Sequence, residues 1–543
     1  MRQRRKDSLP IDKAESAQYP EKSDREKKVK TGVKKHGKLL AAALGVYAAL
    51  LLLLVVTETG APGSTIHSVW DATWFSLITM TTVGYGDLSP VTPAGRILGL
   101  IFALSSIGIL TALIGIGLSL LSGQILPRLR LRSGKQRSWY VFSEENADSA
   151  ALAAALADAD PDCLLVFQNA AEKQLRTGNT VRIQAEAESL LKLRGERKEG
   201  VSFFFTGPDP WDNLSRGLET VNLQVPVYCM ADVPVDALPE GLHLFSRTEA
   251  LSRCYWKEHP LKKAESCVVL IGCGRTGSAL LERALLTNVF EAGRQTSYHV
   301  FEDCADFAAL HPAIIRALNG EGEDRDRILI HDGAWTDDPE LLRNADRIIL
   351  AADEDAENLA VYEKLHRWFP TQAQVHVRLD EPAPGLTCFG EREKTLTPEF
   401  VIKDAVNRSA IAMNDIYNKG SAKPVAWKDL SHFLRQSNIA AADHLIVKVR
   451  YLLDDESILE LSDEVCRKAY ARYREIYPEK AAELQEMEHR RWLRFYELYN
   501  WEYNPRRDDG MRRHPMMLPY DELSREEQDK DAYAWEMLGK FES

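Results

Sequence analysis

The sequence is short of paired cysteines and metal-ligand clusters, and two long stretches of it carry no charge at all. Its eight cysteines (Cys163, Cys229, Cys254, Cys267, Cys273, Cys304, Cys388, Cys466) include no CxxC pair. Disulfide-built secreted folds and zinc ribbons need closer, regular spacing, so these read as reduced, mostly core thiols of a cytosolic compartment. No set of His, Cys, Asp and Glu has metal-ligand spacing. The net charge of −12 lacks the basic excess that neutralising phosphate backbones requires, so a nucleic acid is not the expected partner. A length of 543 residues is too great for one core and suits three or four domains of roughly 100–200 residues each.

Charge is segregated along the chain. Residues 1–38 hold 13 Lys/Arg against 6 Asp/Glu, a net +7. Residues 39–127 carry only Glu58, Asp71, Asp87 and Arg96, a net −2. Residues 128–137 add five basic side chains and no acid, which leaves −22 for residues 138–543. The chain is thus a basic tail, a nearly uncharged block, a basic linker and a large acidic body. Within the block, residues 39–57 and 97–126 are uncharged runs of 19 and 30 residues. About 20 apolar residues cross a hydrocarbon layer as a helix. Their basic outer flanks place both ends in the cytoplasm.

Between these spans, residues 66–80 (IHSVWDATWFSLITM) have helix-like apolar spacing but are too short to cross. A re-entrant helix surrounded by protein is the physical solution. It leads into Thr81-Thr82-Val83-Gly84-Tyr85-Gly86-Asp87. The order span, short helix, TTVGYGD, span resembles the two-transmembrane potassium channels, whose selectivity filter Thr82 to Asp87 matches at every position. Successive carbonyls replace the water around K⁺, and the backbone must turn to φ > 0 at Gly84 and Gly86. The resemblance implies K⁺ sites at the carbonyls of Thr82, Val83, Gly84 and Tyr85, Tyr85 packed against the pore helix, and four copies around one filter. It also implies a gating hinge in the second span at Gly108 or the neighbouring Ser106.

The acidic body alternates strand-like and helix-like runs, as parallel α/β domains do. The clearest unit has a strand CVVLIG, then Gly272-Cys273-Gly274-Arg275-Thr276-Gly277, then a helix. In that context a GxGxxG turn suits a phosphate, with Glu302 or Asp303 after the next strand placed to accept from ribose hydroxyls. Residues 264–384, with RIIL-AADEDAENLAVYEKLH, resemble the regulator-of-potassium-conductance (RCK) domain. The resemblance implies a cofactor site at Gly272, Gly274, Arg275, Gly277, Glu302 and Asp303 for an NAD-type dinucleotide or an adenine nucleotide, or an inherited turn that holds nothing. Residues 138–260 look like a divergent copy: FSEENADSAALAAAL replaces the glycine turn, and Glu144 and Glu145 would repel a phosphate, so no dinucleotide is expected there.

A helical connector, residues 385–421, precedes a mainly helical module, residues 422–543. Its tail resembles the repeat domain of ryanodine receptors (RyR) at Trp501, Tyr503, Pro505, Arg507, Asp508, Asp509, His514, Pro515, Pro519, Tyr520 and Leu523. The resemblance suggests a small-ligand pocket at Trp501, Tyr503, Arg507, Asp508, His514 and Tyr520; the alternative is that these aromatics are core and Arg507 is bridged to an acid.

The sequence therefore predicts a multidomain fold: an α-helical two-span membrane pore with a re-entrant helix, two Rossmann-like RCK domains and an RyR-like domain. The function implied is that of a K⁺-selective channel, a homotetramer in the inner or plasma membrane with both termini cytoplasmic, gated by a nucleotide-class ligand. A nonconducting membrane-anchored sensor and a regulatory subunit of K⁺ transport are the alternatives. An enzyme is not expected, since no acid/base constellation for a dehydrogenase accompanies the glycine turn.

Overall fold

The computed structural model describes residues 45–104, 125–169, 178–195, 198–291, 293–319, 326–419, 421 and 423–540. The chain divides into two units, Met1–Ser122 and Gly123–Ser543.

In the first unit, helices at 45–58 and 93–104 flank the short helix Val69–Met80. The short helix begins three residues later than the apolar pattern suggests, because Ser68 and Asp71 form a reciprocal capping box that fixes its start. Its 12 residues span about 18 Å, well short of a hydrocarbon layer. One face packs with Leu51, Leu54, Leu98 and Phe102 through Ala72 and Phe75. Among the described residues no helix is long and apolar enough to cross a membrane. Of the two uncharged runs, residues 39–44 and 105–124 lie outside the described residues, as does the basic tail.

The second unit contains two six-stranded parallel sheets. The first has β1 (Trp139–Phe142), β2 (Leu164–Phe167), β3 (Thr180–Arg182), β4 (Val201–Phe205), β5 (Val227–Met230) and β6 (Leu242–Phe245) in the order β3-β2-β1-β4-β5-β6. The other has β7 (Cys267–Ile271), β8 (Ser297–Phe301), β9 (Arg327–His331), β10 (Arg347–Leu350), β11 (Gln374–Arg378) and β12 (Thr387–Phe389) in the order β12-β11-β10-β7-β8-β9. Both are doubly wound Rossmann orders. The strand order reverses at β1/β4 and at β7/β10, where such folds offer a crevice at the strand C-termini. The central strands are apolar on both faces because helices cover both, and β1 and β10 are almost wholly buried.

The two sheets do not end where composition alone would divide them. Helix Arg247–Glu258 follows β6 but buries Leu251, Tyr255 and Trp256 in the core of the second sheet. Strand β12 lies past Pro384, in what the sequence reads as connector. Segment 392–401 returns Leu396 and Val401 to the first core beside Phe142 and Leu152. Each sheet is completed by chain from the other's side of the sequence, which couples them mechanically.

The basic linker is not slack. Residues Leu126–Ser133 form a helix whose Leu131 is fully buried against the first sheet's core, and Arg130 Nη1 donates to the Thr180 carbonyl at 3.2 Å. Trp139 Nε1 closes the join by donating to the Gly134 carbonyl at 2.9 Å. Burial of a leucine is worth roughly 1.5–3 kcal/mol.

The C-terminal helices are His432–Leu453 and Asp463–Leu498, the latter kinked near Pro478, where Lys480 leaves helical geometry. They dock on the second sheet through Phe433, Ala440, Phe495 and Leu498, and through ion pairs Arg253–Asp443 (2.8 Å) and Arg494–Asp326 (2.8 Å). All eight cysteines are free. Burial pushes Cys163 and Cys254 up to about 11 and Cys229 up to about 12, so these are inert core thiols.

Candidate functional site

The loop after the short helix has φ > 0 at every second residue: Thr82 (59°), Gly84 (56°) and Gly86 (75°). The glycines accept this without cost, as their place in the sequence suggests. Thr82 was not expected to do so, and a β-branched residue there is strained unless its surroundings impose the conformation. They do. The amides of Val83 and Gly84 both donate to the Ile78 carbonyl, at 2.9 and 3.1 Å, and that of Thr82 to Thr79 at 3.1 Å. Trp74 Nε1 donates to Asp87 Oδ2 at 3.1 Å, and the Trp74 and Tyr85 rings stack at 6.3 Å. Val83 and Tyr85 remain 52% and 69% exposed in the single chain.

Glu58 is the residue here that sequence reasoning passed over. Its fully buried carboxylate accepts from Thr92 Oγ1 (2.6 Å), the amides of Val91 and Thr92 (3.0 Å each) and Ser64 Oγ (3.1 Å), tying the end of the first helix to the loop after TTVGYGD. The signal was available: an acid one residue past a 19-residue uncharged run must be satisfied. Gly108 and Ser106 lie outside the described residues.

In the second sheet, Gly272 (φ +89°), Gly274 and Gly277 join β7 to helix Arg275–Thr287. A Cβ on Gly277 would lie 2.0 Å from the Gly272 carbonyl oxygen, and one on Gly272 would lie 2.6 Å from the Ala352 amide. These glycines allow strand, turn and helix to close on one another. Glu302 and Asp303, after β8, both adopt φ > 0 (61° and 55°), and the Cys273 amide donates to the Glu302 carbonyl at 2.9 Å. Burial, with Asp303 and Glu357 nearby, pushes the Glu302 carboxyl above its ordinary range.

The helix N-terminus that would receive a phosphate is occupied by the chain itself. Asp353, just past β10, accepts from the amides of Arg275 (3.1 Å) and Thr276 (3.0 Å) and from Thr276 Oγ1 (2.6 Å). Burial alone would raise this carboxyl, but these donors hold it below the usual range. It therefore stands as an anion where a phosphate would go. A phosphate can take the Gly272 turn only if Asp353 leaves it.

The first sheet carries the matching turn without glycines. Asn146 caps helix Ala147–Ala159: its Oδ1 accepts from the Ser149 amide at 2.7 Å, and Ser149 Oγ accepts from the Asn146 amide at 2.8 Å. Glu145 is held bidentately by Arg182 at 2.6 Å. The two units share a further device that the sequence reading missed. Asn213 accepts from the Gly207 amide and donates to the Gly207 and Met230 carbonyls. Asn358 accepts from the Ala352 amide and donates to the Ala352 and Arg378 carbonyls. Each asparagine stands eight residues past its fourth strand, at Phe205 and Leu350, and clips together the ends of two strands. An internal-repeat comparison of TGPDPWDN with AADEDAEN carries that signal.

In the C-terminal tail, Trp501 is 6% exposed and lies against Phe433 (5.5 Å, 29°), with Tyr496 and His514 around it. One ring face of Trp501 is thus covered by Phe433. Arg507 pairs with Asp509 at 2.7 Å and reaches His514 Nε2 at 3.4 Å. Tyr520 donates to Gln485 at 2.6 Å, Asp508 closes the loop by accepting from the Met511 amide, and Tyr503 is half exposed. Trp501 is thus packed among aromatic side chains, and Arg507 is bridged to Asp509 at the surface.

Comparison with known proteins matches residues 35–122 to a family described as ion channel. The voltage-gated potassium channel of Aeropyrum pernix is 47% identical over 62 residues, 11% of this chain and 21% of that protein. The potassium voltage-gated channel protein shk-1 of Caenorhabditis elegans is 50% identical over 54 residues, 10% of each chain. The chain thus spans about a fifth or less of the length of these curated relatives. Among solved structures, GsuK bound to ADP overlaps loosely, with a TM-score of 0.31 at 15% identity over 76% of this chain and 97% of that one. The GsuK channel bound to NAD does likewise, with a TM-score of 0.33 at 12% identity over 68% and 85%. Over residues 35–122 the chain carries an ion-channel domain, similar in sequence to segments of potassium channels.

Proposed function

We propose that the protein is a potassium-selective channel, in which four copies bring their Thr82–Asp87 loops around one axis in a membrane and the cytoplasmic Rossmann-like units gate the pore in response to a nucleotide-class ligand. The observation that carries this reading is the alternation of φ > 0 at Thr82, Gly84 and Gly86, held from behind by Trp74–Asp87 and by the Ile78 carbonyl. A backbone alternating in this way can turn successive carbonyls toward one side, which is what replacing the water of K⁺ requires. The exposed Val83 and Tyr85 supply surface for neighbouring copies to cover.

Gating follows from differential affinity. A ligand that binds one arrangement of the Rossmann-like units better than another shifts the pore equilibrium by that difference alone. The linker helix Leu126–Ser133 is anchored to the first sheet's core through Leu131. For a nucleotide phosphate at the Gly272 turn, with Glu302 or Asp303 on a ribose, release of Asp353 is part of binding.

The reading is tested by reconstituting the purified full chain in liposomes under a K⁺ gradient. Potassium efflux that exceeds sodium efflux and is lost in Gly84→Ala, which must hold φ > 0, is the expected result. Tetramers that pass no K⁺ under any nucleotide would favour the nonconducting sensor.

A further inference from the structure

The first Rossmann-like unit holds a cavity of about 580 Å³ at its strand C-termini, walled by Glu144, Asn146, Asp148, Asn169, Thr206 and Met230, among others. That volume is in the range of small-molecule sites, and the position is the strand-order reversal where such folds bind ligands. Two features show the wall to be incomplete. Thr206 is 1% exposed, lines the cavity, and its buried hydroxyl has no hydrogen-bond partner. Among the described residues Glu144 has no cation: its only hydrogen-bond donor is Asn146 Nδ2 at 3.0 Å. The other charges of the wall are matched. Glu145 is held by Arg182; Asp148 pairs with Arg392 (2.9 Å) and Arg247 (3.4 Å); Arg392 also reaches Asp380.

These facts select the ligand's chemistry. A phosphate is disfavoured because the helix N-terminus is capped by Asn146, Asp148 sits in its first turn, and no unmatched cation faces the cavity. A bare metal ion is disfavoured because no group of three His, Cys, Asp or Glu side chains converges among the described residues. What is missing is a donor-rich cation for a carboxylate and a hydroxyl. An ammonium brings three donors and no acceptor. Met230, Pro208 and Ala147 offer an apolar wall for a hydrocarbon stem. We propose that this cavity binds a small organic amine, with its ammonium on Glu144 and Thr206. The same wall shares Asp148 and Arg392 with the ion-pair network that joins the first unit to Asp380 of the second. Occupancy is therefore placed to alter the contact between units. The proposal does not depend on the channel reading, since its test is of binding.

The test is a calorimetric titration of the purified full chain with putrescine at physiological ionic strength, with adenosine and ADP as controls. The expected result is one saturable putrescine site per chain, weakened roughly tenfold or more by Glu144→Gln, as loss of a charge-assisted hydrogen bond implies. Thr206→Val, near-isosteric at a buried position, should weaken it less. Glu144→Gln keeps the acceptor for Asn146, and circular dichroism checks that both variants fold. Equal putrescine binding in wild type and both variants would show only diffuse attraction to the acidic body and overturn the proposal. So would adenosine or ADP binding that depends on Glu144, which would make the site one for a nucleoside or nucleotide.

Discussion

The two Rossmann-like units have the same strand order and the same asparagine clip, yet fill the seat at the head of their first helix in opposite ways. The second keeps the glycine turn and places the Asp353 carboxylate on the freed amides, from the residue just past β10. In the first, the position equivalent to Asp353 is Pro208, the turn carries side chains, and Asn146 caps the helix. Conserving the frame and changing the seat separates what folds the unit from what it can bind. In neither unit is the helix N-terminus left bare, so a glycine-rich sequence signature is not by itself an open phosphate site.

The largest effect should come from filling the glycine turn. Gly277→Val puts atoms against the Gly272 backbone, which cannot yield, and should abolish folding of the second sheet, read as loss of cooperative thermal unfolding and of monodisperse full chain in detergent. Gly274→Ala is the contrast: its Cβ meets only the Asp353 carboxylate, at 3.0 Å, a side-chain end that can move. The chain should fold. Next in size, Asn213→Ala and Asn358→Ala should each cost about 2–3 kcal/mol by stranding buried backbone groups, in chemical denaturation of the full chain. Markedly unequal costs would break the equivalence of the two units.

The frame was largely legible in the sequence, because buried parallel strands write continuous apolar runs: β1, β2, β4, β7, β8 and β10 all stand where such runs fall. The edge strands β3, β6 and β12 escaped, being three or four residues long and half exposed in part. Helix Arg247–Glu258 was misplaced because apolar spacing shows that Leu251 and Tyr255 are buried, not which sheet buries them. In the segment 45–104, TTVGYGD announced the positive φ of its glycines, whereas that of Thr82 goes with local backbone hydrogen bonds to the end of the short helix, at Ile78 and Thr79, which no residue type announces. Asp353 was invisible as a site residue because its contact with Thr276 spans 77 positions. Trp501 and Arg507 show the limit of motif reading: their pattern was visible, their partners Phe433 and Asp509 were not decided by it.

Acid should sharpen the contrast further. Burial, beside Arg347, holds His376 of β11 down at about 3, and burial beside Lys448 does the same to His444 of the C-terminal module. Burial alone would raise Glu488, but Arg491 and Lys448 hold it down at about 2. For each, the folded pKa lies below the ordinary one, so the unfolded chain binds more protons; the stability contributed by the histidines is lost as pH falls from about 6.5 toward 3, and that of Glu488 as pH falls from about 4.5 toward 2. Asp404, pushed up by burial to about 6, works the other way: its contribution is lost as pH rises through that value. Glu302 and Asp531, also pushed up by burial, act with Asp404, but the downward shifts of His376 and His444 are the larger ones. The second sheet and C-terminal module should therefore open before the first sheet between pH 6 and about 4, read by hydrogen exchange. Earlier exchange in the first sheet would contradict this.

The smallest effect concerns the seats themselves. Asp353→Asn removes the carboxylate from the helix N-terminus and should cost about 1 kcal/mol. It should also tighten ADP binding to the full chain, measured by calorimetry. Asn146→Ala should cost about as much and gain no ADP affinity, because Glu144 and Asp148 remain. If Asp353→Asn leaves ADP affinity unchanged, the Gly272 turn is not a phosphate seat.

The central claim, that residues 81–87 form a potassium-selective filter, is tested most directly by the reversal potential of purified full-length protein in a planar bilayer with K⁺ on one side and Na⁺ on the other. The account predicts a reversal potential displaced toward the K⁺ equilibrium value, and a displacement lost when Gly86 is replaced by alanine. A current that reverses at zero, or a reconstituted tetramer that carries no current with or without nucleotide, would contradict it.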